Sequence, residues 1–135
     1  MDKKDKIERD TIIINKILRY TDELKRISEK FEIKTHNDLA NEYIALSSAT
    51  QTITNISELK KLLDNELLNK IPEFNKIKIN TMRHIASHDY DNISPYAVFS
   101  VMDKLTSENI INEMEAIIND NKESGEESEC DKSEQ

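Results

Sequence analysis

Residues 7–31 read IERDTIIINKILRYTDELKRISEKF. Apolar side chains recur there at Ile13, Ile17, Tyr20, Leu24, Ile27 and Phe31, in steps of four, three, four, three and four. A helix turns once every 3.6 residues, so this alternation stacks the side chains into one stripe along a single long helix. A half-buried strand would need apolar residues at every second position, and no such run occurs elsewhere to compete. No internal repeat suggests a solenoid either.

Working outward, the same period returns. THND, residues 35–38, offers capping side chains for a second helix, whose stripe reads Leu39, Tyr43, Leu46, Ala49, Ile53, Ile56 and Leu63. The polar run SSATQT weakens helix propensity there but keeps the period, and its small residues suit the close approach of another helix. Ile71-Pro72 interrupts the pattern, and proline is tolerated in the first turn of a new helix. A third helix is expected from about Glu73 into residues 81–88. Ser94-Pro95 is a second start signal, a capping serine before proline at the first helical position. Val98, Val101, Met102, Leu105, Ile110, Met114 and Ile117 then form one long helix, or two broken near Thr106-Ser107. The expected architecture is an all-α bundle of four to five helices with mostly short connections.

Composition agrees. A chain of 135 residues is the size of one domain and can bury a core without metals or disulfides. With aromatics at 5%, that core must be mainly Ile and Leu, and one Gly and two Pro leave few turn signals. The lone Cys130 cannot form an internal disulfide, and nothing suggests an oxidising compartment. No apolar run is long enough to span a bilayer and no secretory leader pattern is seen, so a soluble cytoplasmic protein without a membrane partner is expected.

The net charge of −8 is unevenly spread. Residues 119–135, NDNKESGEESECDKSEQ, hold seven acids and two lysines, and the rest of the chain carries only −3. The body is therefore close to balanced and is not excluded from binding a polyanion through local basic surface. The terminal segment has no Leu, Ile, Val or aromatic side chain to offset chain entropy. It reads as a disordered acidic tail, 119–135, behind a helical domain, 1–118. Solubility is its ordinary role, and shielding a basic site from nucleic acid is the sharper one.

The chemically able residues gather in TMRHIASHDYDNISPY, residues 81–96, which holds two of the three histidines. On a helix, Arg83 and His88 lie about 140° apart on adjoining faces, while Arg83 with Ser87, and His84 with His88, are i,i+4 neighbours. Asp91-Asn92 and Ser94-Pro95 close the helix, which puts His88, Asp89 and Tyr90 near its C-terminus. A C-terminus favours a protonated imidazole and leaves it tunable around neutral pH.

Three readings of these residues stand together. Arg83 pairs with a carboxylate and the histidines are ordinary polar residues, which is the common case for such a spacing. HxxxH presents two imidazoles to Zn²⁺, completed by Asp89 or Asp91, although the glutamate of H-E-x-x-H is missing and His36 is remote in sequence. Or the guanidinium clamps phosphate oxygens while an imidazole moves a proton to or from a ribose oxygen, which is metal-independent chemistry on a phosphodiester.

Arg83, four residues, His88, one residue, Tyr90 resembles the R-x₄-H-x-Y pattern of the HepT-like toxins, members of the HEPN superfamily of small helical proteins. His84 falls in the slot after the arginine that is commonly Asn, Asp or His, and Ile71-Pro72 shortly upstream adds to the likeness, which covers about residues 8–118. Three departures stand out. The family often has Asn where this chain has His84, a Gly shortly before the arginine where this chain has Thr81 or Asn80, and a Gly-containing stretch where this chain has Ser47, Ser48, Ala49 and Thr50.

The resemblance implies the toxin of a two-component system, a ribonuclease that uses no metal or other cofactor, and an MNT-type nucleotidyltransferase antitoxin as partner. His88 would be the general acid/base, Arg83 the phosphate binder and Tyr90 the site of AMP addition. His84, Ser87 and Asp89 would support them, with His84 orienting Arg83 or touching RNA. It also implies a homodimer with two facing motifs that form a groove for RNA. Lys76 and Lys78 are candidates for phosphate contacts, against the commoner role of solvated lysines. The alternative function is a non-catalytic HEPN-like module that binds a nucleotide or partner protein and cuts nothing.

Overall fold

The computed structural model describes residues 2–79 and 93–133, with side chains as far as residue 123. Among them are seven helices and no strand: α1 (Lys3–Lys30), α2 (His36–Ala40), α3 (Tyr43–Lys60), α4 (Asn65–Lys70), α5 (Pro72–Asn75), α6 (Pro95–Leu105) and α7 (Glu108–Ser133). The all-α bundle expected from the periodicity is present. The count exceeds four or five because α2, α4 and α5 are short pieces of one or two turns. The longest described helices, α1, α3 and α7, pack with α1 against both of the others; α2 and α3 lie against α6, and α5 lies against α7.

α1 begins at Asp2, whose side chain accepts the Asp5 amide at 2.9 Å. Its buried residues are Ile13, Ile14, Ile17, Thr21 and Leu24, whereas Tyr20, Ile27 and Phe31 are only half-buried. The face turned to the core therefore runs along Ile14, Ile17, Thr21 and Leu24, and half of the expected stripe lies on its margin. Thr21 is tolerated there because its hydroxyl donates to the Leu18 carbonyl at 2.7 Å, so no polar atom is stranded. α1 stops at Phe31, and Glu32 takes a left-handed φ of 53°. The Ile33 amide then closes back onto the Ser28 carbonyl at 2.8 Å, which ties off the helix end.

The long second helix expected from Leu39 to Leu63 is split. Thr35 and Asp38 form a reciprocal capping box, as THND suggests, with the Asp38 amide on Thr35 Oγ1 at 3.2 Å and the Thr35 amide on Asp38 Oδ2 at 3.0 Å. The helix then ends at Asn41 and restarts at Tyr43. HNDLAN is poor in helix formers and rich in side chains that compete for backbone groups, so little opposes the break. The restart changes the buried register. Tyr43 is 74% exposed, and Ala45 fills the core position in its place.

Farther along α3, Thr50, Thr52 and Thr54 donate their hydroxyls to the carbonyls of Leu46, Ser48 and Thr50 at 2.7, 2.8 and 2.8 Å. That is how the polar run enters the interior beside the buried Ala45 and Ala49. Asp64 then caps α4 through the Leu67 amide at 2.9 Å, and this hydrogen bond is the main reason its carboxyl is held below the usual carboxylate range. Its ion pair with Lys6, at 2.9 Å, ties the start of α1 to the start of α4.

Pro72 opens α5, as expected, but the helix stops at Asn75 instead of running on from Glu73. Ser94 caps α6 by accepting the Ala97 amide at 3.2 Å, with Pro95 in the first turn. Thr106-Ser107 separates α6 from α7, and the Thr106 hydroxyl closes on the Met102 carbonyl at 2.9 Å.

The core is Ile- and Leu-rich, and Phe74 is the fully buried aromatic residue among those described. The helical backbone of α7 runs on to Ser133, into the segment whose composition predicts disorder. Among the described side chains its last buried one is Ile117, and its last described contact with the bundle is Asn121 Nδ2, which donates to Thr11 Oγ1 at 2.9 Å. Truncation after Glu123 should leave the thermal midpoint unchanged. Truncation after Ile118 should cost about 1 kcal/mol, the worth of one hydrogen bond. Calorimetry of the two shortened chains checks this, and a large loss from the milder cut would show that the acidic segment docks on the bundle.

Candidate functional site

The frame of the site can be built from its two ends. On the upstream side the chain leaves α5 through Lys76, Ile77, Lys78 and Ile79, with Ile77 and Ile79 buried and the two lysines exposed. On the downstream side Ile93 is buried again, one residue before the Ser94 cap of α6. The sequence between these anchors contains Arg83, His84, Ser87, His88, Asp89 and Tyr90. All six lie outside the described residues.

The upstream anchor is held by residues the sequence did not point to. Lys60, at the end of α3, donates from Nζ to the carbonyls of Asn75 and Ile77, both at 3.1 Å. Those carbonyls would serve helix amides if α5 continued. The turn that replaces the helix carries its own short bonds, Ile77 N to Phe74 O at 3.1 Å and Ile79 N to Ile77 O at 3.0 Å. Burial pushes the Lys60 ammonium below the ordinary lysine value. From the other side, Glu113 of α7 accepts the amides of Glu73 and Phe74 at 2.9 and 3.2 Å. A lysine and a glutamate on amphipathic helices ordinarily read as solvated, and only the fold brings them to this turn.

Of the two lysines proposed for phosphate contacts, Lys76 sits 3.4 Å from Glu73 in an exposed i,i+3 pair, so part of its positive field is already compensated. Lys78 is exposed and enters no ion pair among the described residues. Near the downstream anchor, His36 and Tyr96 meet edge to face, with ring centroids 5.4 Å apart. His36 is thus placed against α6 by α2, a contact that no spacing in the sequence indicates.

No family model, curated protein or solved structure matches the chain. Among the described residues, no group of three or more His, Cys, Asp or Glu side chains could hold a metal ion, and no helix is long and apolar enough to cross a membrane.

Proposed function

We propose that the protein is the toxin of a toxin–antitoxin pair, a metal-independent endoribonuclease silenced by AMP addition to Tyr90. The observation that carries this reading is the spacing Arg83, His88, Tyr90 in a helical chain of this length. The all-α bundle, with Pro72 opening α5 before the motif and Ser94-Pro95 opening α6 after it, supports this reading.

In this reading Arg83 binds the scissile phosphate through its two-pronged guanidinium. His88 accepts the proton of the ribose 2′-OH as that oxygen attacks phosphorus, and a proton is returned to the departing 5′-oxygen. The products are a 2′,3′-cyclic phosphate and a 5′-hydroxyl. His84, Ser87 and Asp89 support the pair, and Lys78 is the better placed of the two lysines for a neighbouring phosphate.

Control belongs to a partner nucleotidyltransferase of the MNT type. Tyr90 lies seven residues past Arg83, a spacing that on a helix returns to nearly the same face, so an AMP joined to its phenol oxygen would bring a phosphate to the place where Arg83 would hold substrate. Two copies of the chain would complete a groove for RNA. The apolar stripes of α1 and α7 are largely spent on the core, and among the described residues Ile12, Tyr43, Ile44, Leu62 and Tyr96 are the large apolar ones left more than half exposed.

Induced expression tests the toxin reading. Wild type should arrest growth and degrade RNA, and His88→Ala should do neither. Co-expression with the cognate nucleotidyltransferase should add mass in steps of one AMP, mapped to Tyr90, and restore growth. Tyr90→Phe should escape that rescue. A Tyr90→Phe protein still silenced by the partner would sink the control mechanism and leave the ribonuclease standing.

A further inference from the structure

The single turn of α5 is gripped from two sides by charged side chains that act on backbone rather than on opposite charges. Glu113 covers the amides of Glu73 and Phe74. Such amides at a helix start have no partner within the helix, and a carboxylate is well suited to them. Lys60 covers the carbonyls of Asn75 and Ile77, and its Nζ also lies 5.5 Å from the centroid of the Phe74 ring. Neither Glu113 nor Lys60 belongs to an ion pair among the described residues. Between them Phe74 is fully buried, and Ile77 and Ile79 carry the chain along the core as far as residue 79.

The two grips come from different helices, α7 and α3, so they fix the turn relative to both. We propose that Lys60 and Glu113 are positioning residues, which fix the turn at residues 73–77 from which the chain runs on to Arg83 and His88. A positioning role explains why a half-buried ammonium is spent on two carbonyls of an irregular turn, where a neutral apolar residue would suffice for packing. Its catalytic consequence rests on the ribonuclease reading above; its structural consequence does not.

The chain's three histidines provide the test. In proton NMR their imidazole C2–H signals can be followed separately, with His36, packed on Tyr96, as the internal control. Lys60→Met and Glu113→Ala should each move the His84 and His88 signals and leave His36 in place. Lys60→Arg, which keeps a cation and its donors, should return them toward wild type. Lys6→Met, which breaks the ties to Asp64 and Glu66, is the control for general loosening and should leave all three signals unmoved.

On RNA, Lys60→Met should lose roughly 10- to 100-fold in kcat with KM little changed, the effect of a small misplacement of reacting groups. Lys60→Arg should recover most of that loss. If either truncating variant fails to fold, Glu113→Gln, which keeps the shape and one acceptor, decides the matter by the same signals. Folded variants whose His84 and His88 signals coincide with wild type overturn the proposal. If the wild type cuts no RNA, the ribonuclease reading falls and the imidazole signals alone decide positioning.

Discussion

Replacing His88 by alanine should lower RNA cleavage by about 10²–10⁴-fold, the usual contribution of a general acid/base. Arg83→Ala should fall in a similar range, because it removes the charge that stabilises the phosphorane-like transition state. The two losses should not add. An imidazole without a held phosphate has nothing to act on, so the double variant should be little worse than either single one. Single-turnover rates on a short RNA give all three numbers. A His88→Ala protein within a few-fold of wild type would move the chemistry to another residue.

The largest stability effect should come from Phe74→Ala. Phe74 is fully buried at the turn between α5 and residues 77–79, and emptying such a site costs about 3–5 kcal/mol. A domain of this size typically has about 5–15 kcal/mol in hand, so the variant should melt well below wild type. The substitution also removes the ring beside Lys60, so activity should fall further than the loss of folded protein explains. Phe74→Leu, which fills most of the volume, should recover most of the stability. Urea titrations of both variants check this, and a loss under 1 kcal/mol for alanine would mean that the site collapses around the missing ring.

Legibility in the sequence followed the physics of each element. Long stripes such as Ile13 to Leu24 were readable because burial on one face imposes a period, and cap signals such as Thr35 to Asp38 and Ser94-Pro95 were readable because they are local. What was not readable depended on distant partners. The break at Asn41–Glu42, which exposes Tyr43 and buries Ala45, has no proline or glycine to announce it. The early end of α5 is favoured by Lys60, 15 and 17 residues away from the carbonyls it covers, and its start by Glu113, some 40 residues away. In the candidate site the residues proposed for the chemistry, Arg83, His88 and Tyr90, lie outside the described residues, and no local signal marked Lys60 or Glu113 as the side chains that hold the turn before them.

The central claim is that this chain cuts RNA by 2′-OH attack without a metal. The direct measurement is to incubate purified protein with an RNA oligonucleotide in excess EDTA, beside the same oligonucleotide carrying a single 2′-deoxy residue at the cut position, and to identify the product ends by mass. The expected result is cleavage of the all-ribose strand to a 2′,3′-cyclic phosphate and no cleavage at the deoxy position. Activity lost in EDTA and restored by Zn²⁺, or equal cutting of the deoxy strand, would contradict it.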